Sequence, residues 1–213
     1  MTKIDPSLRR EYHQPPFTEA DAAADPLEQF RRWFDEAVAA EIPLANAMTL
    51  ATASAEGTPS ARVVLLKSYD EEGFVFFTNY ESRKGRELAE NPKGTLLFWW
   101  QPLERQIRIE GSVTQVSAAE SDEYFATRPR GAQLGGVVSP QSQPITREAL
   151  IAQLDQVARS FEGKPIPRPH HWGGYRLHPI LFEFWQGRPD RLHDRIAYHK
   201  RPNGTWVRMR LAP

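Results

Sequence analysis

The sequence has no cysteine, no net charge and no long apolar segment, and each absence removes a class of function. Without cysteine among its 213 residues, the chain has no disulfide, thiolate nucleophile or thiolate-bound metal. Its 27 basic and 27 acidic residues cancel, so no overall field attracts it to nucleic acid or an anionic membrane. Its longest apolar stretch, residues 95–100, is far shorter than the ~20 residues of a transmembrane helix.

The amino-terminal stretch is polar as well. Residues 1–17 contain no apolar run, from which we expect no secretory signal, and together with the lack of cysteine this favours a cytoplasmic location. We expect residues 1–20 to form a flexible arm and residues 21–213 a single domain with one substantial core. No Gly-x-Gly-x-x-Gly motif follows a predicted strand, which argues against a Rossmann dinucleotide site.

Turn signals and apolar periodicity predict a mainly β fold with intervening helices. Asp25 and Pro26 begin a helix that extends to about residue 42, and further helices follow Ser82, Ser117 and Thr146. Residues 128–145 are predicted to form a long ordered loop. Strands are predicted at residues 48–53, 61–69, 74–79, 94–101, 104–116, 175–185, 195–200 and 205–211. About seven antiparallel strands with three or four helices favour a closed or split barrel over a doubly wound sheet.

Residues 182–195 combine an apolar strand with a cluster of cations. If the chain stays extended, alternate residues share a face, so Arg191, His193 and Arg195 point one way and Leu192 points into the core. The cations would then form a wall beside the ring of Trp185. The alternative is a solvated polar strand end, and a short motif does not decide between the two.

Two further pairs of cations are placed for binding anions. Arg83 and Lys84 lie in the first turn of a predicted helix, where the helix dipole disfavours cations and an anion between them would relieve the conflict. We expect this pair to have no acidic partner nearby in sequence; the alternative is a solvated basic turn. Arg62 and Lys67 flank an apolar segment on a strand that should be largely buried, and buried cations need a partner.

Several motifs in a fixed order resemble the signature of the pyridoxine/pyridoxamine 5'-phosphate oxidase family. The most specific part is Glu183 to Gln186, followed after four intervening residues by Arg191 to Arg195. The remaining motifs cover nearly the whole chain, at residues 62–67, 78–79, 82–84, 104–106, 124–125, 128–129, 139–142, 172–174 and 210–213. Several spaced motifs in the right order are far more specific than any one of them.

The resemblance implies an FMN-binding split β-barrel that works as a homodimer, with the flavin between the subunits. It also implies FMN-dependent oxidation of pyridoxamine 5'-phosphate or pyridoxine 5'-phosphate to pyridoxal 5'-phosphate, with dioxygen as acceptor and hydrogen peroxide as product. No nucleic acid, membrane or metal is implied. The alternatives are another split-barrel flavin oxidoreductase, such as a flavin reductase, and a non-catalytic carrier of flavin or pyridoxal phosphate.

Residue by residue, the resemblance assigns two ligand sets and two catalytic residues, Arg191 and His193. In the family, position 77 is often Tyr and position 132 is usually Ser, so Ala132 lacks one hydroxyl donor to the substrate phosphate. The residues expected to contact FMN are Arg62, Val63, Val64, Leu65, Leu66, Lys67, Phe77, Thr78, Arg83, Lys84, Gln106, Gln141, Ser142, Trp185 and Arg195. Those expected to contact the substrate are Arg9, Tyr12, Lys67, Tyr124, Arg128, Ala132, Arg191, Leu192 and His193.

Overall fold

The structure is a computed structural model that describes residues 2, 5, 7 and 11–213. Arg9 therefore lies outside the described residues. In the described part there are five α-helices: α1 (Pro26–Ala39), α2 (Arg83–Glu90), α3 (Ala118–Thr127), α4 (Arg130–Val138) and α5 (Arg147–Ser160). None of the helices described there is long and apolar enough to cross a membrane.

Nine strands in the described residues form one sheet, one more than the eight predicted ranges, because residues 61–69 contribute to two strands. They are β1 (Ala47–Ala53), β2 (Pro59–Leu65), β3 (Ser68–Asp70), β4 (Gly73–Asn79), β5 (Lys93–Trp100), β6 (Arg105–Gln115), β7 (Trp172–Gln186), β8 (Asp194–Lys200) and β9 (Trp206–Arg210). The strand order is β2-β1-β5-β6-β7-β4-β3, with β8 paired to β7 and β9 paired to β8. The β3–β4, β4–β7, β7–β8 and β8–β9 pairs are antiparallel.

The predicted helix starts are confirmed by their caps. The side chains of Asp25, Ser82, Ser117 and Thr146 each accept a hydrogen bond from a backbone N–H of the first turn. Helix α1 ends at Ala39, about three residues before the predicted end. The backbone of Glu41 is left-handed (φ 54°), a conformation that an α-helix does not accommodate.

The segment over residues 61–69 differs from its prediction in two respects. It forms two strands, because β2 ends at Leu65 and β3 begins at Ser68. It is also not largely buried: every side chain of β2 is exposed or half-buried, and Val63 is 67% exposed. Strand β2 is the first in the order, so one of its long edges has no strand beside it among the described residues. A short apolar run in the sequence does not distinguish such an edge strand from a buried strand.

The prediction of a loop throughout residues 128–145 was wrong, because helix α4 occupies half of it. Three glycines lower the helix propensity of this segment, at positions 131, 135 and 136. Packing overrides that preference: Leu134 joins Phe125, Ile166 and Trp172 in a buried cluster. The helix was missed because this stabilisation comes from residues distant in sequence.

By internal packing the chain divides into two compact units. One contains the described residues up to Thr49, with Thr95–Glu110 and Pro179–Pro213; the other contains Leu50–Gly94 and Gly111–His178. In the first unit, Phe30 of α1 packs against Phe98 at 5.3 Å between ring centroids. Phe17, which precedes α1, is also buried in this unit, at 5% exposed. The expected division into residues 1–20 and 21–213 stays a prediction.

Candidate functional site

The second unit contains a cavity of about 1010 Å³ that gathers many of the predicted ligands. Strands β2 and β4, the start of α2, the end of α3, and α4 all contribute to its wall. Of the predicted residues, those lining it are Arg62, Val63, Val64, Leu65, Lys67, Phe77, Thr78, Arg83, Lys84, Tyr124, Arg128, Ala132, Gln141 and Ser142. Leu66 does not line the cavity and is buried.

Lys84 is a buried cation at the amino-terminal end of α2, only 8% exposed. Its Nζ donates to Gln141 Oε1 at 2.8 Å, Thr78 Oγ1 at 3.0 Å and Ser82 Oγ at 3.2 Å. All three acceptors are neutral. Burial, together with the nearby Arg62 guanidinium, lowers the pKa of Lys84 to about 8. A buried ammonium held only by neutral oxygens is a group that a bound anion would stabilise.

The two arginines beside Lys84 are tied to one carboxylate. Arg83 Nε donates to Glu87 Oε1 at 2.8 Å, and Arg62 Nη2 lies 3.4 Å from Glu87 Oε2. The expectation that this pair has no acidic partner nearby in sequence was therefore wrong, because Glu87 is four residues after Arg83. Residues four apart face each other on a helix, and that spacing is the sequence signal that could have found Glu87.

An aromatic stack forms another wall of the same cavity. The Phe77 ring stacks on Tyr124 at 4.0 Å and on Trp172 at 5.5 Å between centroids. The Arg128 guanidinium lies over the Trp172 ring at 4.5 Å, and Lys67 Nζ lies 5.7 Å from the Tyr124 ring centre. Trp172 belongs to the family motif at residues 172–174, but it was not among the residues expected to contact either ligand.

Arg128 carries a polar atom that needs a partner. Across the residues described, its Nη1 is the one buried side-chain nitrogen or oxygen without a hydrogen bond. Burial lowers the pKa of this guanidinium below its ordinary value. Since an unpaired buried donor is costly, the arrangement fits an acceptor oxygen supplied by a ligand. Together with the neutral shell around Lys84, this makes the cavity chemically suitable for phosphate groups.

The first unit contains a separate aromatic and cationic cluster with several other predicted residues. The Trp185 ring lies 4.6 Å from His193 and 5.6 Å from Tyr12, between centroids. The Arg191 guanidinium lies over the Tyr12 ring at 5.6 Å. Gln106 is half-buried on β6, in the same unit. These residues do not line the cavity of the second unit.

The arrangement predicted for residues 191–195 was partly wrong. Strand β7 ends at Gln186, and Asp190 and Arg191 have left-handed φ angles of 54° and 63°, so the chain turns instead of staying extended. Leu192 is 69% exposed and does not point into the core. The segment is the connection between two paired strands, β7 and β8, and the strand alternation does not extend through a turn.

His193 and Arg195 have specific partners. The backbone N–H of Arg188 donates to His193 Nδ1 at 3.2 Å. Burial, and then the charge of Arg191, lower the pKa of His193 below its ordinary value. Arg195 Nε donates to Glu183 Oε1 at 2.8 Å, and its Nη1 donates to the Ala212 carbonyl at 2.8 Å. The carboxylate of Glu183 is buried, and it also binds Arg108.

Comparison with known proteins places these residues in a family. A family model described as pyridoxamine 5'-phosphate oxidase matches residues 34–157. The chain belongs to this family. A second family model, described as the pyridoxine 5'-phosphate oxidase C-terminal dimerisation region, matches residues 172–213.

Curated relatives match this oxidase-family chain over nearly its full length. It is 61% identical over 206 residues to the pyridoxine/pyridoxamine 5'-phosphate oxidase of Bordetella pertussis, covering 97% of this chain and 98% of that protein. It is 57% identical to the protein of the same name from Cupriavidus necator over 213 residues, covering 100% of both.

Solved structures support the family's fold. PhzG from Burkholderia lata 383, in complex with tetrahydrophenazine-1-carboxylic acid, matches with a TM-score of 0.87 and 34% identity, over 93% of this chain and 98% of that chain. A pyridoxamine 5'-phosphate oxidase-related, FMN-binding protein from Nostoc punctiforme matches with a TM-score of 0.70 over 86% of this chain and 97% of that chain. Its 18% identity supports the fold alone. The predicted split β-barrel class of this oxidase-family chain is confirmed.

Proposed function

We propose that this protein is an FMN-dependent oxidase that converts pyridoxamine 5'-phosphate and pyridoxine 5'-phosphate to pyridoxal 5'-phosphate. Dioxygen accepts the electrons and leaves as hydrogen peroxide; the amine reaction also consumes water and releases ammonia. Curated relatives at 55% to 61% identity carry the name of this activity and support the proposal.

The observation that carries the proposal is the presence of two groups of cations in one cavity. One group is Arg62, Arg83 and Lys84, around the start of α2. The other is Lys67 and Arg128, beside the aromatic stack, where Arg128 Nη1 has no partner. Two separate groups of cations fit two phosphates, and the proposed reaction brings together a cofactor and a substrate that carry one each.

The first group would hold the phosphate of FMN, with Thr78, Gln141 and Ser142 beside it. Bound FMN supplies the two-electron acceptor chemistry that the side chains of this protein lack. The second group, with the Tyr124 ring and hydroxyl, would bind the substrate phosphate. Fixing both ligands in one geometry removes the entropic cost of bringing them together.

Arg191 and His193 would orient the substrate ring. Since His193 Nδ1 accepts the Arg188 amide proton, the neutral imidazole carries its own proton on Nε2 and acts there as a donor. The lowered pKa of His193 favours this neutral form near pH 7. The Arg191 guanidinium would orient the substrate and stabilise charge that develops during the reaction.

We propose a homodimer in which the flavin lies between the subunits. The match of residues 172–213 to a dimerisation region supports this arrangement. These residues include Trp185, Arg191, His193 and Arg195.

The proposed function can be tested by an absorption spectrum of the purified protein, followed by measurement of hydrogen peroxide release. We expect a flavin spectrum, and peroxide release with pyridoxamine 5'-phosphate that greatly exceeds the release with pyridoxamine. A colourless protein that cannot be reconstituted with FMN would contradict the proposal. Bound flavin without peroxide release would favour a carrier or another flavin oxidoreductase.

A second candidate is oxidation of a reduced phenazine carboxylic acid, favoured by the TM-score of 0.87 with PhzG in its complex. The identity of 34% is well below the 61% shared with the Bordetella pertussis oxidase, so we rank this activity second. Peroxide release measured side by side with pyridoxamine 5'-phosphate and with tetrahydrophenazine-1-carboxylic acid decides between them.

A further inference from the structure

Glu87 lies behind the cavity wall and binds two of the cations that line it. The residue is on α2, one turn after Arg83, and only 6% exposed. Its Oε1 accepts from Arg83 Nε at 2.8 Å. Its Oε2 accepts from the hydroxyls of Thr52 and Ser60, each at 2.5 Å. Burial alone would raise the pKa of Glu87, but the hydrogen bonds from Ser60, Thr52 and Arg83 lower it to about 2.

The same two hydroxyls connect Glu87 to Arg62. Arg62 Nη1 donates to Thr52 Oγ1 at 2.6 Å and to the Leu50 carbonyl at 3.1 Å, and its Nη2 donates to Ser60 Oγ. A carboxylate can only accept hydrogen bonds, so the hydroxyl protons point at Glu87 and leave oxygen lone pairs for Arg62. The carboxylate at position 87 is therefore the acceptor for both hydroxyl protons, and Arg62, which can only donate, binds the remaining lone pairs of the two hydroxyl oxygens.

The charges around this network match a phosphate dianion. Arg62, Arg83 and Lys84 carry three positive charges, and Glu87 offsets one of them, which leaves a balance of two. Without a carboxylate the three cations would repel one another in a partly buried space and turn toward solvent. Arg83, half of whose side chain is exposed, is the most free to do so.

We propose that Glu87 is a positioning residue that orients Arg62 and Arg83 toward the phosphate of FMN. This inference rests on the proposed function, because it requires FMN in the cavity. The positioning role and simple electrostatics predict opposite changes in FMN affinity when the carboxylate of Glu87 is removed. Removing a negative charge beside a phosphate should tighten binding, whereas removing a positioning residue should weaken it.

Glu87→Gln is the sharpest single test. A glutamine has one acceptor oxygen and one donor nitrogen, so it can satisfy either Arg83 or the two hydroxyls, but not both. We expect this variant to bind FMN about ten-fold more weakly, in line with the loss of one charge-assisted contact. Riboflavin, which lacks the phosphate, should bind the variant and the unmodified protein equally, within about two-fold. A general structural defect would weaken both flavins alike.

The matched control is Glu90→Gln, which makes the same charge change at an exposed position at the end of the same helix. It should leave the affinities for both flavins unchanged. The measurements are titrations of the flavin-free protein with FMN and with riboflavin, followed by flavin fluorescence, with melting temperatures to monitor folding. Should Glu87→Gln fail to fold, Thr52→Val supports the same test, because it removes one hydroxyl link to Arg62 at nearly constant volume. We expect it to weaken FMN binding about three-fold and leave riboflavin binding unchanged.

Each outcome has a distinct meaning. Weaker FMN binding with unchanged riboflavin binding supports the positioning role. Equal or tighter FMN binding by Glu87→Gln overturns it, and so does an equal loss for both flavins. If the unmodified protein binds neither flavin, the proposed function itself fails and the inference fails with it.

Discussion

The ammonium group of Lys84 donates a hydrogen bond to the side-chain oxygen of Gln141 across 2.8 Å, although 57 residues separate them in the chain. Gln141 also accepts from Thr78, at 3.3 Å. This contact places the loop after α4 over the start of α2, within the wall of one cavity. The position of Lys84 in that wall makes its charge state a testable property of the site.

The first prediction concerns pH. The pKa of Lys84 is lowered from 10.5 to about 8, so between these values the unfolded chain binds more protons than the folded one. The free energy of unfolding of the flavin-free protein should therefore contain a contribution that rises with pH from about 8 to 10.5.

The affinity for FMN should fall over the same pH range, because the phosphate loses a cationic partner when Lys84 is deprotonated. Both pH profiles, of unfolding by denaturant and of FMN titration, are measured for the unmodified protein and for Lys84→Met. The difference between the two proteins isolates the contribution of Lys84. If the profiles of the two proteins run parallel, Lys84 does not have the lowered pKa.

The second prediction compares the two adjacent cations. Lys84→Met should weaken FMN binding by about 10- to 100-fold, because a buried charge-assisted contact is lost. Arg83→Ala should have a smaller effect, since Arg83 is more exposed and already paired with Glu87. Equilibrium dialysis against FMN measures both. Lys93→Met, at an exposed site on β5, is the control and should retain full flavin occupancy.

The third prediction separates substrate contacts from flavin contacts. Arg191→Ala and His193→Ala should lower kcat/KM for pyridoxamine 5'-phosphate by about 10-fold or more while FMN stays bound at full stoichiometry. Steady-state kinetics and the flavin-to-protein absorbance ratio check this. Arg201→Ala, in the turn between β8 and β9, should change neither value. Loss of flavin from Arg191→Ala or His193→Ala, with activity restored by excess FMN, would show that these residues act on the cofactor.

The fourth prediction uses two glycines in α4. A Cβ atom at Gly136 would lie 3.0 Å from Arg128 Nη1, whereas one at Gly135 would have no atom within 4 Å. Alanine at position 135 should stabilise the helix by about 0.5 to 1 kcal/mol, whereas at position 136 the close approach to Arg128 and Phe125 opposes that gain. Only Gly136→Ala should raise KM for pyridoxamine 5'-phosphate, by several-fold, because it crowds the guanidinium that would bind the substrate phosphate. Equal KM values for both variants would remove Arg128 from that role.

The fifth prediction concerns Ala132, which lies in the first turn of α4 and not on a loop. Its backbone N–H donates to the Pro129 carbonyl at 2.8 Å, so an added hydroxyl would extend from an ordered helical turn. Ala132→Ser should lower KM for the phosphorylated substrate by about two- to five-fold with little change in kcat. Gly131→Ser, the neighbouring exposed position, is the control. A raised KM would mean that the phosphate is held elsewhere.

The sequence by itself determined the parts of this protein that depend on neighbours along the chain. Helix starts at Asp25, Ser82, Ser117 and Thr146 were predictable because a cap and the first turn lie within four residues of each other. The order of motifs was enough to indicate the family, because many spaced residue types rarely recur together by chance.

Only the tertiary structure decided how those residues are used. Helix α4 forms despite its glycines because Leu134 lies in a buried cluster with Ile166 and Trp172, which are distant in sequence. Leu192 is exposed because two left-handed residues turn the chain before β8. Glu87 lies between two cavity arginines because β1 and β2 bring Thr52 and Ser60 to the side of α2. Such contacts join residues far apart along the chain, and local propensity contains no information about them.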